Sequence, residues 1–306
     1  MKEAYAETTW NKYSRAWDKF SAWCGENEIS EVKPCEPLTA ALYFSFLQYN
    51  GAVRGAITSA AEGIRWAHEI AGLESPLEHP FVKKIFEGAK RVCPAKSNKK
   101  DPIRVEYIRD LIESANLENL ADLRFATMLT LSFAGLFRIS ELLRLKLQDL
   151  VFSADSLKVT VRKSKNDKLQ EGRTIYIARS GKSTCPVTLV ETFLEKAGTS
   201  DPNGFVIAHL KRTAGGIWTG DSSKALSYSR ARQILLEKTG PIREKFPEIN
   251  LGTHSSRIGG ASKASEMGIE ERLLDEHGRW KSSKSKRTYL RDSKDKKLQL
   301  TKSLGI

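Results

Sequence analysis

Two short motifs in the sequence pair a guanidinium with a second group that can act on a phosphate ester. Arg138 and Glu141 are three residues apart in an otherwise apolar stretch, so in a helix they share a face, although a surface ion pair has the same spacing. His254 and Arg257 have this spacing too, and the small residues after them permit a close helix contact. Two guanidinium groups can hold the non-bridging oxygens of one phosphodiester and stabilise its transition state without a metal ion.

A nucleophile and an acid for such a reaction are also present. Tyr289 lies in the most basic part of the sequence, and nearby cations can lower the pKa of a tyrosine hydroxyl from about 10, so that it attacks phosphorus. Lys163 and Lys165 lie where a predicted strand enters its loop, and a lysine can protonate a departing 5′-oxygen. The sequence has no carboxylate cluster for catalytic magnesium and no CxxC pair for zinc, so we expect no metal site.

These motifs, in this order, resemble the pattern of the tyrosine recombinase (phage integrase) superfamily. That pattern is an R-x-S-E box, a hairpin lysine, an H-x-x-R box, a His or Trp, and a tyrosine nine residues later. Trp280 falls 23 residues after Arg257, and Tyr289 falls nine after Trp280, which agrees with the family's spacing. One residue more than usual separates Gly135 from Arg138, which resembles the variant of eukaryotic mobile-element recombinases.

The resemblance implies which side chains hold the phosphate. Arg138 and Arg257 are expected to bind the scissile phosphate, and Trp280 to support it through its indole N–H. Glu141 is expected to orient the site rather than to react. His277 lies close by in the sequence, but its spacing to the nucleophile fits the family less well, so we expect it to be structural.

The resemblance also implies how the covalent bond and the protons are exchanged. Tyr289 is expected to form a 3′-phosphotyrosyl link to DNA, with His254 assisting proton transfer. Lys165 is expected to protonate the leaving 5′-hydroxyl, and Lys163 is the competing candidate for that role.

The function implied is site-specific recombination of double-stranded DNA, with no metal or nucleotide cofactor. The expected partners are duplex DNA and further copies of the chain, as a homotetramer on two duplexes during synapsis. Two alternatives remain open: a domesticated DNA-binding protein that keeps the fold without strand exchange, and a type IB topoisomerase, which shares the chemistry but relaxes supercoils.

Hydrophobic periodicity predicts the elements that position these residues. Four N-terminal segments, beginning near Trp10, Leu38, Val53 and Pro80, carry apolar residues at helical spacing, and we expect these residues to form a core. The basic stretch that follows lacks periodicity and is bracketed by prolines, which predicts a linker. The predicted organisation is a helical, DNA-clamping domain at 1–94, a linker at 95–102 and a catalytic domain at 103–306.

The C-terminal domain is predicted to be mostly helical with one small sheet. Residues 157–162 and 174–178 alternate in polarity, which predicts a hairpin. Asp101 and Pro102 suit the N-cap and first position of a helix. Further helices are predicted at Leu120–Phe133, Pro186–Lys196, Ser222–Lys238 and His254–Met267. The fold class is therefore mainly α with a small antiparallel β-sheet, and the resemblance implies a core-binding domain followed by an α+β recombinase domain.

The charge of the chain indicates a polyanionic partner. Its 306 residues include 50 Lys and Arg against 37 Asp and Glu, a formal net charge of +13, and residues 1–100 hold only 14 of these basic residues against 12 acidic ones. The densest basic run, Arg279–Lys302, has ten basic residues and two acidic ones. Predicted DNA-backbone contacts are Lys96, Lys99, Lys100, Lys163, Arg279, Lys281, Lys284, Lys286 and Arg287.

Several other classes of protein are not indicated. No apolar stretch approaches the roughly 20 residues of a membrane span, and the N-terminus has no apolar segment of a secretory signal. The four cysteines lie far apart, which predicts reduced thiols. We therefore expect an intracellular, DNA-associated protein, nuclear in a eukaryote or in the cytoplasm or nucleoid of a bacterium.

Overall fold

The computed structural model describes residues 4–95, 99–162, 172–292 and 294–305. It divides into two compact units, Met1–Asn98 and Lys99–Ile306. Each unit has its own hydrophobic core. Within the described ranges, no helix is both long and apolar enough to cross a membrane.

The described part of the first unit carries four α-helices, and their predicted existence and positions are confirmed. They are α1 (Glu7–Glu26), α2 (Pro37–Tyr49), α3 (Arg54–Ala71) and α4 (Pro80–Val92). Helix α1 packs on α3 and α2 packs on α4. A Cβ at Gly63 of α3 would lie 2.7 Å from the Cβ of Ala16, so glycine is required where the first pair meets. Phe20, Phe44 and Ile64 are fully buried in this core.

One apolar stripe of α2 was predicted to lie in the core, but it is exposed. Leu42, Phe46 and Tyr49 share a face of the helix, and they are 50%, 42% and 91% exposed. The residues of α2 that are buried instead include Ala40, Tyr43 and Phe44. Both faces of α2 are apolar, so periodicity alone gave no way to choose between them.

The second unit carries ten of the described helices. They are α5 (Val105–Glu113), α6 (Leu120–Ala134), α7 (Ile139–Leu142), α8 (Pro186–Lys196), α9 (Tyr228–Lys238), α10 (Gly240–Lys245), α11 (Ser255–Glu266), α12 (Glu271–Gly278), α13 (Ser283–Arg287) and α14 (Lys294–Lys302). The predictions for α6, α8 and α11 are confirmed within about two residues at each end. Helix α6 is almost wholly buried and forms the centre of the unit.

Two antiparallel sheets lie beside these helices. The first orders β1 (Leu150–Phe152), β2 (Ser156–Val161) and β3 (Arg173–Ala178) in sequence, and the second pairs β4 (Ala208–Arg212) with β5 (Trp218–Ala225). The predicted hairpin is β2–β3, with Val159 opposite Ile175. The predicted fold class, mainly α with a small antiparallel sheet, is confirmed, although the second small sheet was not predicted. The helix predicted to start at Ser222 was wrong there and starts at Tyr228, because Trp218–Ala225 is a polar strand without clear alternation.

The start of the second unit also differs from the prediction. Helix α5 begins at Val105 with Arg104 as its N-cap, so Asp101 and Pro102 are not its cap and first residue. Asp101 instead accepts a hydrogen bond from the Asn250 amide at 2.8 Å, and its own amide donates to the Asn250 carbonyl at 3.0 Å. The aspartate therefore fastens the start of this unit to the segment that leads to α11.

Helices α6 and α11 approach so closely that only glycine fits between them. A Cβ at Gly259 would lie 2.2 Å from the Ile103 carbonyl oxygen, and one at Gly260 would lie 2.3 Å from the Phe133 carbonyl oxygen. The predicted close contact after His254 and Arg257 is thus confirmed. It fixes the first turn of α11 against the end of α6, which leads directly into Arg138.

Candidate active site

The carboxylate of Glu141 is the centre of a buried cluster of three arginines. Glu141 is 3% exposed in the first turn of α7. Its Oε1 lies 2.5 Å from Nη1 of Arg138, and its Oε2 accepts from the Arg138 amide at 3.0 Å. The same Oε2 lies 3.1 Å from Nη2 of Arg279 and 3.8 Å from Nη1 of Arg257. The ion pair between Arg138 and Glu141 is therefore buried rather than at the surface.

The charges in this cluster keep Glu141 ionised. Burial by itself raises the pKa of the Glu141 carboxyl, but the guanidinium groups of Arg279, Arg138 and Arg257 and the Arg138 amide lower it below its ordinary value. Burial lowers the pKa of Arg138, but the attraction of Glu141 outweighs that effect and raises it overall. One carboxylate thus compensates part of the charge of three cations in the protein interior.

Arg257 is enclosed on every side. Its side chain is 0% exposed, and its guanidinium donates to the carbonyls of Leu136 and Gly278, the latter at 2.5 Å. The ring centroids of Trp280 and Tyr289 each lie 4.8 Å from its guanidinium carbon. Burial and the repulsion of neighbouring arginines lower the pKa of Arg257. Its Nε has no hydrogen-bond partner among the described residues.

Leu136, in the segment from Gly135 to Arg138, supplies an acceptor that two arginines share. Leu136 has a left-handed backbone with φ of 46°, and its carbonyl accepts from Arg257 Nη1 and, at 2.8 Å, from Arg279 Nη2. A Cβ at Gly135 would lie 2.2 Å from the Phe137 ring, so this position requires glycine. The segment therefore turns a backbone oxygen toward the arginines.

Tyr289 lies against the other predicted site residues. Its ring centroid is 6.2 Å from that of His254 and 5.7 Å from that of Trp280. Tyr289 is also close to Arg138 and, after Glu141, is among the neighbours that raise the pKa of the Arg138 guanidinium. His254 is exposed at the N-terminus of α11, whereas Trp280 is buried with its indole N–H unpaired among the described residues. A phenol, an imidazole and three cations therefore share one site.

The structure brings together six of the seven residues predicted for catalysis and orientation: Arg138, Glu141, His254, Arg257, Trp280 and Tyr289. The seventh, Lys165, lies outside the described residues, as do Lys163 and Lys96. His277 lies in the last turn of α12, and its Nε2 lies 2.7 Å from the Ala134 carbonyl oxygen, in agreement with the structural role predicted for it. The described part of the chain contains no group of three or more His, Cys, Asp or Glu side chains that could hold a metal ion.

Two of the predicted DNA-backbone contacts are buried instead. The Arg279 side chain is 2% exposed and donates to Glu141 and to three backbone carbonyls, so it does not lie at the surface where a DNA-backbone contact was expected. The Lys286 side chain is 3% exposed and pairs with Glu271 and Asp275 at 3.2 and 3.1 Å, so it does not lie at the surface either. These ion pairs fasten α13 to α12.

The remaining candidates for DNA contact lie at the surface or close to it. Lys99, Lys281, Lys284 and Arg287 are exposed, and they stay predictions. Lys100 is half-buried and donates to the Asn250 side-chain oxygen at 2.6 Å. Composition could not separate Arg279 from these residues, but its position between a glycine and Trp280, at the end of a predicted site motif, was a signal that it belongs to the site.

Comparisons with known proteins agree on one family. The model of the phage integrase family matches residues 103–296. The chain is 24% identical over 294 residues to an integrase/recombinase xerD homolog of Selenomonas ruminantium, covering 95% of this chain and 83% of that protein. It is 22% identical over 304 residues to the recombinase Cre of Escherichia phage P1, covering 95% and 86%. Among solved structures, the XerH site-specific recombinase bound to palindromic difH substrate has a TM-score of 0.65 at 12% identity, covering 95% of this chain and 78% of that chain.

Replacing Glu141 by Gln should destabilise the second unit strongly at neutral pH. The folded-state pKa of Glu141 lies below its unfolded value of about 4.3. The ionised carboxylate therefore stabilises the folded protein above about pH 4.3, and this stabilisation is lost as the pH falls through the folded-state pKa. We expect Glu141→Gln to cost about 3–5 kcal/mol at pH 7, because it leaves buried guanidinium groups without their carboxylate. Urea unfolding of both proteins at several pH values measures this cost.

The control is Glu118→Gln, which removes an ion pair between Lys196 and a glutamate that is 87% exposed. This change should leave the urea midpoint nearly unchanged. The difference between wild type and Glu141→Gln should shrink below about pH 4. A cost that is equally small at all pH values would contradict a structural role for the carboxylate.

Proposed function

Because the chain belongs to the phage integrase family, we propose that it is a site-specific DNA recombinase that cleaves and rejoins duplex DNA through a 3′-phosphotyrosyl intermediate. The observation that carries this proposal is the contact of the Tyr289 ring with the buried Arg257 guanidinium, beside Arg138. A nucleophile for phosphorus and two groups that bind phosphate oxygens are therefore adjacent. No metal or nucleotide cofactor is needed for this chemistry.

The proposed cleavage is a transesterification. Tyr289 Oη forms a bond to phosphorus while the bond from phosphorus to the 5′-oxygen breaks. The phenolic proton passes to His254, and Lys165 donates a proton to the departing 5′-oxygen. Arg138 and Arg257 stabilise the non-bridging oxygens, with the indole N–H of Trp280 as a further donor. Attack by a 5′-hydroxyl of another strand reverses these steps and completes the exchange.

Arg257 must become accessible before it can bind a phosphate. In the DNA-free protein its side chain has no exposed surface, and the rings of Trp280 and Tyr289 lie against it. We propose that the scissile phosphate displaces the Tyr289 ring, whose residue is only half-buried, while Trp280 stays in its core position. The displaced hydroxyl then lies beside the phosphate that it attacks.

Duplex DNA is the proposed partner of both units. The XerH structure that resembles this fold is bound to its difH substrate. In this proposal the first unit clamps the duplex, and the basic segment that leads into the second unit contacts its backbone through Lys96, Lys99 and Lys100. Lys163, Lys281, Lys284 and Arg287 are the proposed phosphate contacts of the second unit.

Strand exchange needs several protomers, and we propose a homotetramer on two duplexes. Helix α14 and the residues just after it supply a candidate contact, because Leu298 within the helix and Leu304 beyond its end are 40% and 62% exposed. The second unit also carries an apolar groove of about 650 Å³, whose lining includes the exposed residues Tyr176, Met267 and Leu273. We propose that α14 of one protomer docks in the apolar groove of its neighbour.

Replacing Tyr289 by Phe should abolish the covalent adduct with DNA and leave binding intact. The variant lacks only the attacking oxygen and retains the ring that packs against Arg257 and Trp280. Trapping on a nicked suicide duplex, followed by denaturing electrophoresis, measures the adduct, and a mobility shift measures binding. An adduct that persists in Tyr289→Phe would contradict the assignment of the nucleophile. Loss of wild-type cleavage in excess EDTA would contradict a metal-independent reaction. Binding with no adduct in the wild type supports a DNA-binding protein instead.

The roles of Lys163 and Lys165 can be distinguished with a substrate whose leaving group needs no proton donor. A bridging sulfur in place of the 5′-oxygen leaves as a thiolate, because thiols have pKa values near 8.5. We expect Lys165→Ala to lose cleavage of the normal duplex and to recover it on the sulfur-substituted one. Lys163→Ala is the matched control and should cleave both. Rescue of Lys163→Ala alone would assign the acid to Lys163.

Truncation after Arg291 should prevent synapsis without preventing cleavage of a single site. It removes α14, while Tyr289 and its neighbours remain. Sedimentation on DNA should give four protomers with two duplexes for the full chain and a smaller complex for the truncated one. Leu273→Asp, a change within the apolar groove, should have the same effect. Tetramers that form in both variants would refute docking of α14.

A further inference from the structure

Arg279 has a backbone conformation that does not suit an arginine. It follows the last residue of α12 with φ of 57°, in the left-handed region where a helix normally ends on glycine. Any other residue there stores backbone strain. Gly278 stands immediately before it, so the chain has a glycine at the end of α12 and still places the arginine in the strained position. The side chain must supply what compensates for this strain.

The Arg279 guanidinium is bound at both of its terminal nitrogens. Nη1 donates to the carbonyls of Gly135 and His277 at 3.1 and 2.7 Å. Nη2 donates to the carbonyl of Leu136 at 2.8 Å and to Glu141 Oε2 at 3.1 Å. The guanidinium also lies over the Phe137 ring, 5.0 Å from its centroid. The side chain therefore joins the end of α12 to the whole segment that precedes α7.

Arg279 and Arg257 share the same two acceptors. Both donate to the Leu136 carbonyl, and both lie near Glu141 Oε2, Arg279 at 3.1 Å and Arg257 at 3.8 Å. Arg279 therefore shares Oε2 with the Arg138 amide, which donates to it at 3.0 Å, and Arg257 lies just beyond hydrogen-bonding distance. Without Arg279, Oε2 would keep the Arg138 amide as its one close donor and would attract Arg257, because a buried carboxylate with too few donors is costly.

We propose that Arg279 is a positioning residue that keeps Glu141 from drawing Arg257 into a direct hydrogen bond, so that Arg257 remains available to the scissile phosphate. This inference rests on the proposed function, because it assigns Arg257 to the phosphate. It also gives a reason for the strained backbone, since only an arginine from this position reaches Glu141 and Leu136 together. Lysine keeps the charge but lacks the planar fork that binds several acceptors at once.

The test compares Arg279→Gly with wild type in single-turnover cleavage of a suicide duplex. Glycine relieves the strained φ, so a merely structural backbone effect predicts a protein that is at least as stable. We expect the rate constant for adduct formation to fall on the order of 100-fold, as a small displacement of a catalytic group produces, while DNA affinity stays within about twofold. Arg279→Lys should recover only a small part of the rate, and it serves as the second variant if the glycine protein is unstable.

The matched control is Glu28→Gly, which relieves a similar φ of 58° at an exposed residue of the first unit. It should cleave like wild type. Wild-type cleavage by Arg279→Gly would overturn the inference. Loss of DNA affinity in parallel with cleavage would overturn it too, because it would make Arg279 a DNA contact. Full recovery in Arg279→Lys would mean that charge alone matters, which also contradicts positioning.

A second measurement does not depend on activity. The ¹⁵N-labelled, DNA-free protein gives an Nε–Hε resonance for Arg257, assigned by its absence in Arg257→Lys. We expect this resonance to move in Arg279→Gly and to stay in place in Glu28→Gly. An unmoved resonance overturns the inference even if cleavage falls. If wild type forms no adduct at all, the proposed function fails, whereas the resonance still decides whether Arg279 controls the position of Arg257.

Discussion

A single carboxylate buried among three guanidinium groups is the interaction on which the rest of the site depends. Glu141 has almost no contact with solvent, and its oxygens bind Arg138 and Arg279 and lie close to Arg257. Each of these charges would be costly in the interior without the others. The elements that carry them, α7, α11 and the end of α12, are therefore held to one arrangement by electrostatics as well as by apolar packing.

The close approach of α6 and α11 makes this arrangement possible. Gly259 and Gly260 let α11 lie against backbone carbonyls at the ends of neighbouring segments. The first turn of α11 then carries Arg257 beneath Leu136, whose left-handed backbone turns its carbonyl toward the arginines. Small residues on one helix and a strained residue on another segment therefore both help to bring donors and acceptors together in the protein interior.

Much of the fold and of the candidate site could be predicted because it depends on local pattern. Helical periodicity found the N-terminal helices and α6, α8 and α11, and the spacing of the motifs selected Arg138, Arg257 and Tyr289, which lie close together in the structure. What failed depended on tertiary context. The outward face of α2 is as apolar as its buried face, and β5 is a polar strand. Arg279 and Lys286 look like their basic neighbours in the sequence, and only the positions of Glu141, Glu271 and Asp275 in space bury them.

The buried ion pairs of Lys286 limit how far the nucleophile can travel. Lys286 fastens α13 to α12 through Glu271 and Asp275, and Tyr289 follows it by three residues. Three fully extended residues span roughly 10–11 Å. While this anchor holds, Tyr289 stays within that distance of Lys286, and so in the neighbourhood of the Arg257 guanidinium of its own chain. The anchor thus ties Tyr289 to the arginine cluster of the same chain, and the cleavage proposed above would use the groups of a single protomer.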